Sequence, residues 1–113
     1  MEPLSEQDLE IMASVLVLLQ NEENWTRYAP SRNAEGQHVK PIDPTACTWC
    51  IEGAIAFFSP GGLIPYTLLR HIDAGAREFL PSYAVDMDWT VSEFNDELFD
   101  HEMLIRFLNF LLV

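Results

Sequence analysis

Cys47-Thr48-Trp49-Cys50 places two thiols three residues apart, and His38, His71 and His101 could complete a four-ligand zinc set with them. The same pair could instead carry redox chemistry, which needs an exposed helix N-terminus to lower a thiol pKa. The local pattern favours a plainer role. Cys47, Cys50, Ile51, Ala54 and Phe58 fall on one apolar helical stripe, where a free cysteine behaves as a small hydrophobe. Both cysteines are expected in the core, with no metal and no cofactor.

Glu52 is one acid on an otherwise apolar stretch. A carboxylate taken out of water must be paired or protonated, and Arg27, Arg70 and Arg77 are the available partners. Pairing makes Glu52 structural, whereas protonation would make it an acid or base. Asn95-Asp96 has the composition of a turn or helix cap. Trp25, Arg27 and His38 could line a polar-aromatic pocket beside it, giving a candidate ligand or enzymatic site of Trp25, Arg27, Glu52, Asn95 and Asp96. No nucleophile elbow, phosphate loop, His-Glu-x-x-His or dinucleotide glycine pattern occurs, so no catalytic residue is assigned.

A different chemistry is written in the charge. Eighteen Asp and Glu oppose six Lys and Arg, a formal net charge of −12. Such a surface repels nucleic acid and anionic lipid, which bind through cationic groups. It attracts basic proteins instead. The acids Asp86, Asp88, Glu93, Asp96, Glu97, Asp100 and Glu102 run without an intervening base, and Trp89 and Phe94 interleave as apolar anchors. A run of this kind is either a solvated face or a mimic of a phosphate backbone. The mimic reading assigns partner contacts to Asp86, Asp88, Trp89, Glu93 and Glu97.

The elements that must hold these residues are mostly helical. One domain spanning residues 1–113 is expected, since neither a repeat nor a linker divides the chain. Ser5 opens a Ser-x-x-Asp box with Asp8, and Leu4, Leu9, Met12, Leu16 and Leu19 recur at helical spacing to about Gln20. Asn21 to Ile42 reads as a short hairpin or an ordered loop turning at Gly36. Asp43-Pro44 then starts a second helix running to Phe58, apolar on two faces, with Gly53 admitting another backbone. A third helix covers about Pro65 to Leu80, with Leu68, Leu69, Ile72, Ala76 and Phe79 inward. A turn-rich segment follows, and a last helix runs from about Asp100 to Leu112 on Leu104, Phe107, Leu108 and Leu111. The expected fold is mainly α, a small four-helix bundle-like domain.

The last helix has polar side chains after Glu102 only at Arg106 and Asn109. Either it is buried within its own chain or Ile105, Phe110 and Leu112 meet a second copy in a two-fold homodimer. The start of the chain lacks a basic signal-peptide region, and no apolar run could span a bilayer, so a cytoplasmic protein without membrane contact is expected.

Trp25, Gly36, Val39 to Pro44, Trp49-Cys50-x-x-Gly53-Ala54 and Phe94-Asn95-Asp96, closed by an amphipathic helix, resemble a family of small bacterial and phage proteins defined as a domain of unknown function. The resemblance implies a helical fold and a shared pocket near Glu52 and Asn95-Asp96, but no reaction. Cys50 matches the family pattern while Cys47 does not, and the family carries more arginine than this acidic chain. The function expected is that of a non-catalytic acidic binding protein of phage type. Its negative face would inhibit a basic protein that handles nucleic acid or serves in defence. The alternative is the small-ligand or enzymatic pocket.

Overall fold

A computed structural model describes residues 4–79, 91–98 and 100–112. The protein is mainly α-helical. The described helices are α1 (Glu6–Leu19), α2 (Ile51–Phe58), α3 (Tyr66–Phe79), α4 (Val91–Glu97) and α5 (His101–Leu112). A minimal antiparallel sheet pairs β1 (Ser31–Arg32) with β2 (Thr48–Trp49).

Local sequence chemistry sets two of the helices, α1 and α5. Ser5 caps α1, its Oγ accepting the Asp8 N–H at 3.1 Å, so one orphan donor of the first turn is satisfied. Asp100 does the same for α5, accepting the Met103 N–H at 2.9 Å. The inward residues of α5 are Leu104, Phe107, Leu108 and Leu111, on the expected stripe. Its flanking Ile105, Phe110 and Leu112 are partly buried and also pack on the core, with Phe110 5.6 Å from the Phe79 ring. In α1 the buried stripe is Ile11, Met12, Val15 and Leu19, and Leu9 is instead exposed. The apolar face is rotated from the leucine pattern because isoleucine and valine fill it equally well.

The second helix starts seven residues later than its sequence cap suggests. Asp43 does bind the next turn, its Oδ1 accepting the Thr45 N–H at 2.8 Å and hydroxyl at 2.6 Å. These bonds hold its carboxyl below the usual range. The turn then stops, because the Cys47 N–H donates to the Arg32 carbonyl at 2.9 Å and Thr48-Trp49 joins β1. Cross-strand pairing outcompetes a local helix start. Cys47 is consequently exposed, not on a core stripe, while Cys50 is buried as the cap of α2.

Within the connection from α1 to α2, the stretch after β1 is an ordered loop built on side-chain bonds. Asn33 Oδ1 accepts the N–H groups of Glu35 and Gln37, and Gly36 takes a φ of 80° at the tip. A single bridge joins Arg32 to His38.

The region expected to be a turn around Phe94 is helix α4. Val91, Phe94 and Leu98 are buried, and Phe94 lies 4.6 Å from the Phe107 ring. Packing explains a helix that residue preferences do not announce. α2 packs against α1 and α4, while α5 packs against α1 and α3. The almost wholly apolar α2 is thus covered by a helix on each of two sides.

Candidate functional site

The buried side-chain amide of Asn95 organises the N-terminal end of α2. Its Oδ1 accepts the Trp25 indole N–H at 2.8 Å and the Ile51 backbone N–H at 3.1 Å. Its Nδ2 donates to the Thr26 carbonyl at 3.1 Å and to Asp96 Oδ1 at 3.2 Å. A side-chain amide offers two acceptor positions and two donors, so this one is filled. The bond to Ile51 satisfies one of the free N–H groups at the start of α2. Asn95 thereby joins three segments that the sequence keeps far apart.

Around this amide the loop from Trp25 to Pro30 is fixed on both sides. The Thr26 N–H donates to the Trp49 carbonyl at 3.0 Å, and the Cys50 N–H to the Pro30 carbonyl at 3.1 Å. The Arg27 guanidinium lies 4.5 Å above the Trp25 ring and donates to the Leu98 carbonyl, just past the end of α4, where a cation is favoured. Asp96 Oδ1 accepts the Tyr28 N–H at 2.8 Å. This bond helps hold Tyr28 at a φ of 64°, a left-handed conformation uncommon for a bulky residue.

Gly53 completes the lock. A Cβ there would stand 1.8 Å from the Pro30 carbonyl oxygen, so the loop backbone lies directly on the helix. Cys50 Sγ accepts the Gly53 N–H at 3.3 Å. Burial pushes the Cys50 thiol up to about 11, and the nearby charges of Glu52 and Asp96 add to the effect, outweighing the bond from Gly53. A thiol held protonated is neither a nucleophile nor a ready metal ligand. Among the described residues, no cluster of three His, Cys, Asp or Glu is arranged to hold a metal ion.

The structure thus brings Trp25, Arg27, Asn95 and Asp96 into one network. Glu52 lies half-buried in the first turn of α2, where the helix dipole favours an acid. His38 is exposed on the Gly36 loop. Of the expected partner contacts, Asp86, Asp88 and Trp89 fall outside the described residues, and Glu93 and Glu97 belong to α4.

His101, weighed in the sequence only as a metal ligand, has another position. Its Nε2 lies 2.6 Å from the Leu19 carbonyl at the end of α1, and its ring is 6.1 Å from that of Trp25. It also borders an open groove of about 810 Å³ with Glu22, Asp100, Glu102, Ile105, Arg106 and Asn109. Arg106 is bonded to Glu102 at 2.7 Å, so the groove keeps a negative balance. Nothing in the sequence links Glu22 to Asp100, since the groove exists only because α1 and α5 pack together.

No family model, curated protein or solved structure matches this chain. The likeness to a family of unknown function therefore rests on its short motifs. Among the described residues, no helix is long and apolar enough to cross a membrane.

Proposed function

We propose that this is a non-catalytic binding protein whose negatively charged face engages a basic protein, of the kind that handles nucleic acid or serves in defence. The charge balance carries the reading: six cations cannot neutralise eighteen carboxylates. Arg77 and Arg106 already pair with Asp73 and Glu102 on their own helices, so two of the six cations are committed locally. The remaining carboxylates supply a field that steers a cationic partner and competes with a phosphate backbone for its site. The acid run from Asp86 to Glu102 and the groove beside His101 are the proposed contact region, and Trp89 is its apolar anchor. The pocket reading gains less support, because every hydrogen-bonding position of the Asn95 amide is filled by the protein itself.

The test is capture of basic proteins on immobilised wild type and on a variant with Asp86, Asp88, Glu93 and Glu97 reversed to lysine. Captured protein should elute between low salt and about 1 M salt, where the screening length falls to about 3 Å. Duplex DNA should displace it, and the reversed variant should fail to hold it. Equal capture by both proteins rejects the proposal.

A further inference from the structure

Large apolar side chains stay uncovered around the C-terminal end of α2. Ile42 is 56% exposed, Phe57 41%, Leu63 77% and Tyr66 72%. Contacts between separate segments bring Ile42 and Phe57 to this end, and Leu63 and Tyr66 follow it along the chain. The turn carrying Ile42 is closed by a 2.9 Å bond from the Asp43 N–H to the Lys40 carbonyl. The Trp49 indole donates to the Pro41 carbonyl at 3.1 Å, while its ring lies 5.1 Å from Phe57. The Ile42 side chain stands 3.5 Å from the point a Cβ on Gly62 would occupy, against the turn that leads into Leu63 and Tyr66. Single exposed hydrophobes need no explanation, but a shared rim of them does.

The cations give a second, independent observation. Arg27 is bonded to Leu98, Arg32 to Thr26 and Gly36, Arg77 to Asp73 and Arg106 to Glu102. Lys40 and Arg70 are exposed, and neither side chain has a carboxylate or hydrogen-bond partner among the described residues. Both stand at the rim. Lys40 opens the turn that carries Ile42, and the Arg70 guanidinium lies 5.9 Å from the Tyr66 ring. Asp43 on the same turn has a carboxylate oxygen committed to Thr45. In a chain with three acids for every base, two cations with no carboxylate or hydrogen-bond partner among the described residues flank the uncovered apolar surface.

We propose that this rim is a docking surface for an acidic amphipathic segment of a partner protein. Its apolar side chains would lie on Ile42, Leu63 and Tyr66, and its carboxylates on Lys40 and Arg70. The site is separate from the acidic face, and its preference has the opposite sign. Apolar contact supplies affinity, while the two cations choose the partner.

Fluorescence anisotropy with two synthetic peptides tests this. Both carry the same leucine stripe, flanked by glutamates in one and lysines in the other. The glutamate peptide should bind wild type, and Lys40→Glu with Arg70→Glu should weaken it about tenfold or more. Leu63→Ser should weaken it as well, with an unchanged circular dichroism melt for each exposed-site variant. The lysine peptide, drawn by the net charge, should lose no affinity on these rim changes. Tighter binding of the lysine peptide at the rim, or glutamate-peptide binding that ignores all three substitutions, overturns the proposal. So does Leu63-dependent uptake by phosphatidylcholine vesicles, or a wild-type dimer broken by Leu63→Ser in light scattering. The first of these would assign the rim to a lipid surface and the second to another copy.

Discussion

The two ends of α2 are built on opposite terms. At its N-terminal end, Asn95, Trp25, Ile51 and Thr26 satisfy one another, and the Pro30 backbone touches Gly53. At its C-terminal end, Phe57, Leu63 and Tyr66 face solvent, and a Cβ on Gly61 would meet nothing within 4 Å. One end is closed around an amide whose hydrogen-bonding positions are all filled, and the other is open and apolar. Polar residues in a cluster are thus poor evidence for a binding site until their hydrogen bonds are counted. The polar residues gathered around Asn95 hold the chain together, and the side chains exposed at the other end are hydrophobes flanked by Lys40 and Arg70.

The sharpest way to break the closed end is Gly53→Ala. A methyl group 1.8 Å from a backbone oxygen cannot be absorbed by a rotamer change, so either the loop or the helix must move. The expected cost is at least about 3 kcal/mol, the upper part of the overpacking range. Urea unfolding of the variant should show it, and a midpoint close to wild type would mean that the 25–30 loop is not seated on α2. Asn95→Ala comes next. It leaves the Trp25 indole, the Ile51 N–H and the Thr26 carbonyl without their partner, for a loss of about 3 kcal/mol in the same measurement. Less than about 1 kcal/mol would mean that water replaces the amide.

This closed end was legible in the sequence by composition and not by geometry. Gly53 on an apolar helix announces a close approach, and Trp25, Arg27, Asn95 and Asp96 are natural partners in a polar network. Their distances are set by pairings across about seventy residues, which no local pattern carries. The same limit explains α4, whose Asn95 and Asp96 favour turns in isolation and become helical through packing of Phe94 and Leu98. It also explains the start of α2, where a good Asp-Pro cap yields to strand pairing. By contrast, α3 and α5 carry their own stripes and the structure follows them closely, while α1 keeps its Ser5 cap and turns a different apolar face inward.

The cysteines sharpen the comparison with a smaller effect. Cys47→Ala, at an exposed position, should change stability by no more than about 0.5 kcal/mol, whereas Cys50→Ala should cost about 1 kcal/mol or more at neutral pH. A pH series tests the buried thiol further. The Cys50 thiol is raised to about 11 in the fold, against an unfolded value of about 8.5 to 9. Its contribution is fully present below pH 8 and is lost as the pH rises toward 11, because the unfolded thiol ionises first. The stability gap between wild type and Cys50→Ala should therefore narrow across that window. A Cys50 gap that stays constant from pH 8 to 11 would show that water reaches the thiol.

The open end gives the smallest expected change in stability, and the smallness is the informative part. Leu63 is 77% exposed and lies outside the buried cluster, so Leu63→Ser removes little apolar burial. The difference in unfolding free energy should be within about 0.5 kcal/mol of zero, as for other surface substitutions. A side chain this large, kept uncovered, contributes little to folding and adds to aggregation risk. A thermal melt by circular dichroism decides whether that account holds. If Leu63→Ser destabilises by 1 kcal/mol or more, taking about 1 kcal/mol as the typical cost of an ordinary substitution, then Leu63 is packed in solution. The rim would then be covered by its own chain, and the contrast between the two ends of α2 would disappear.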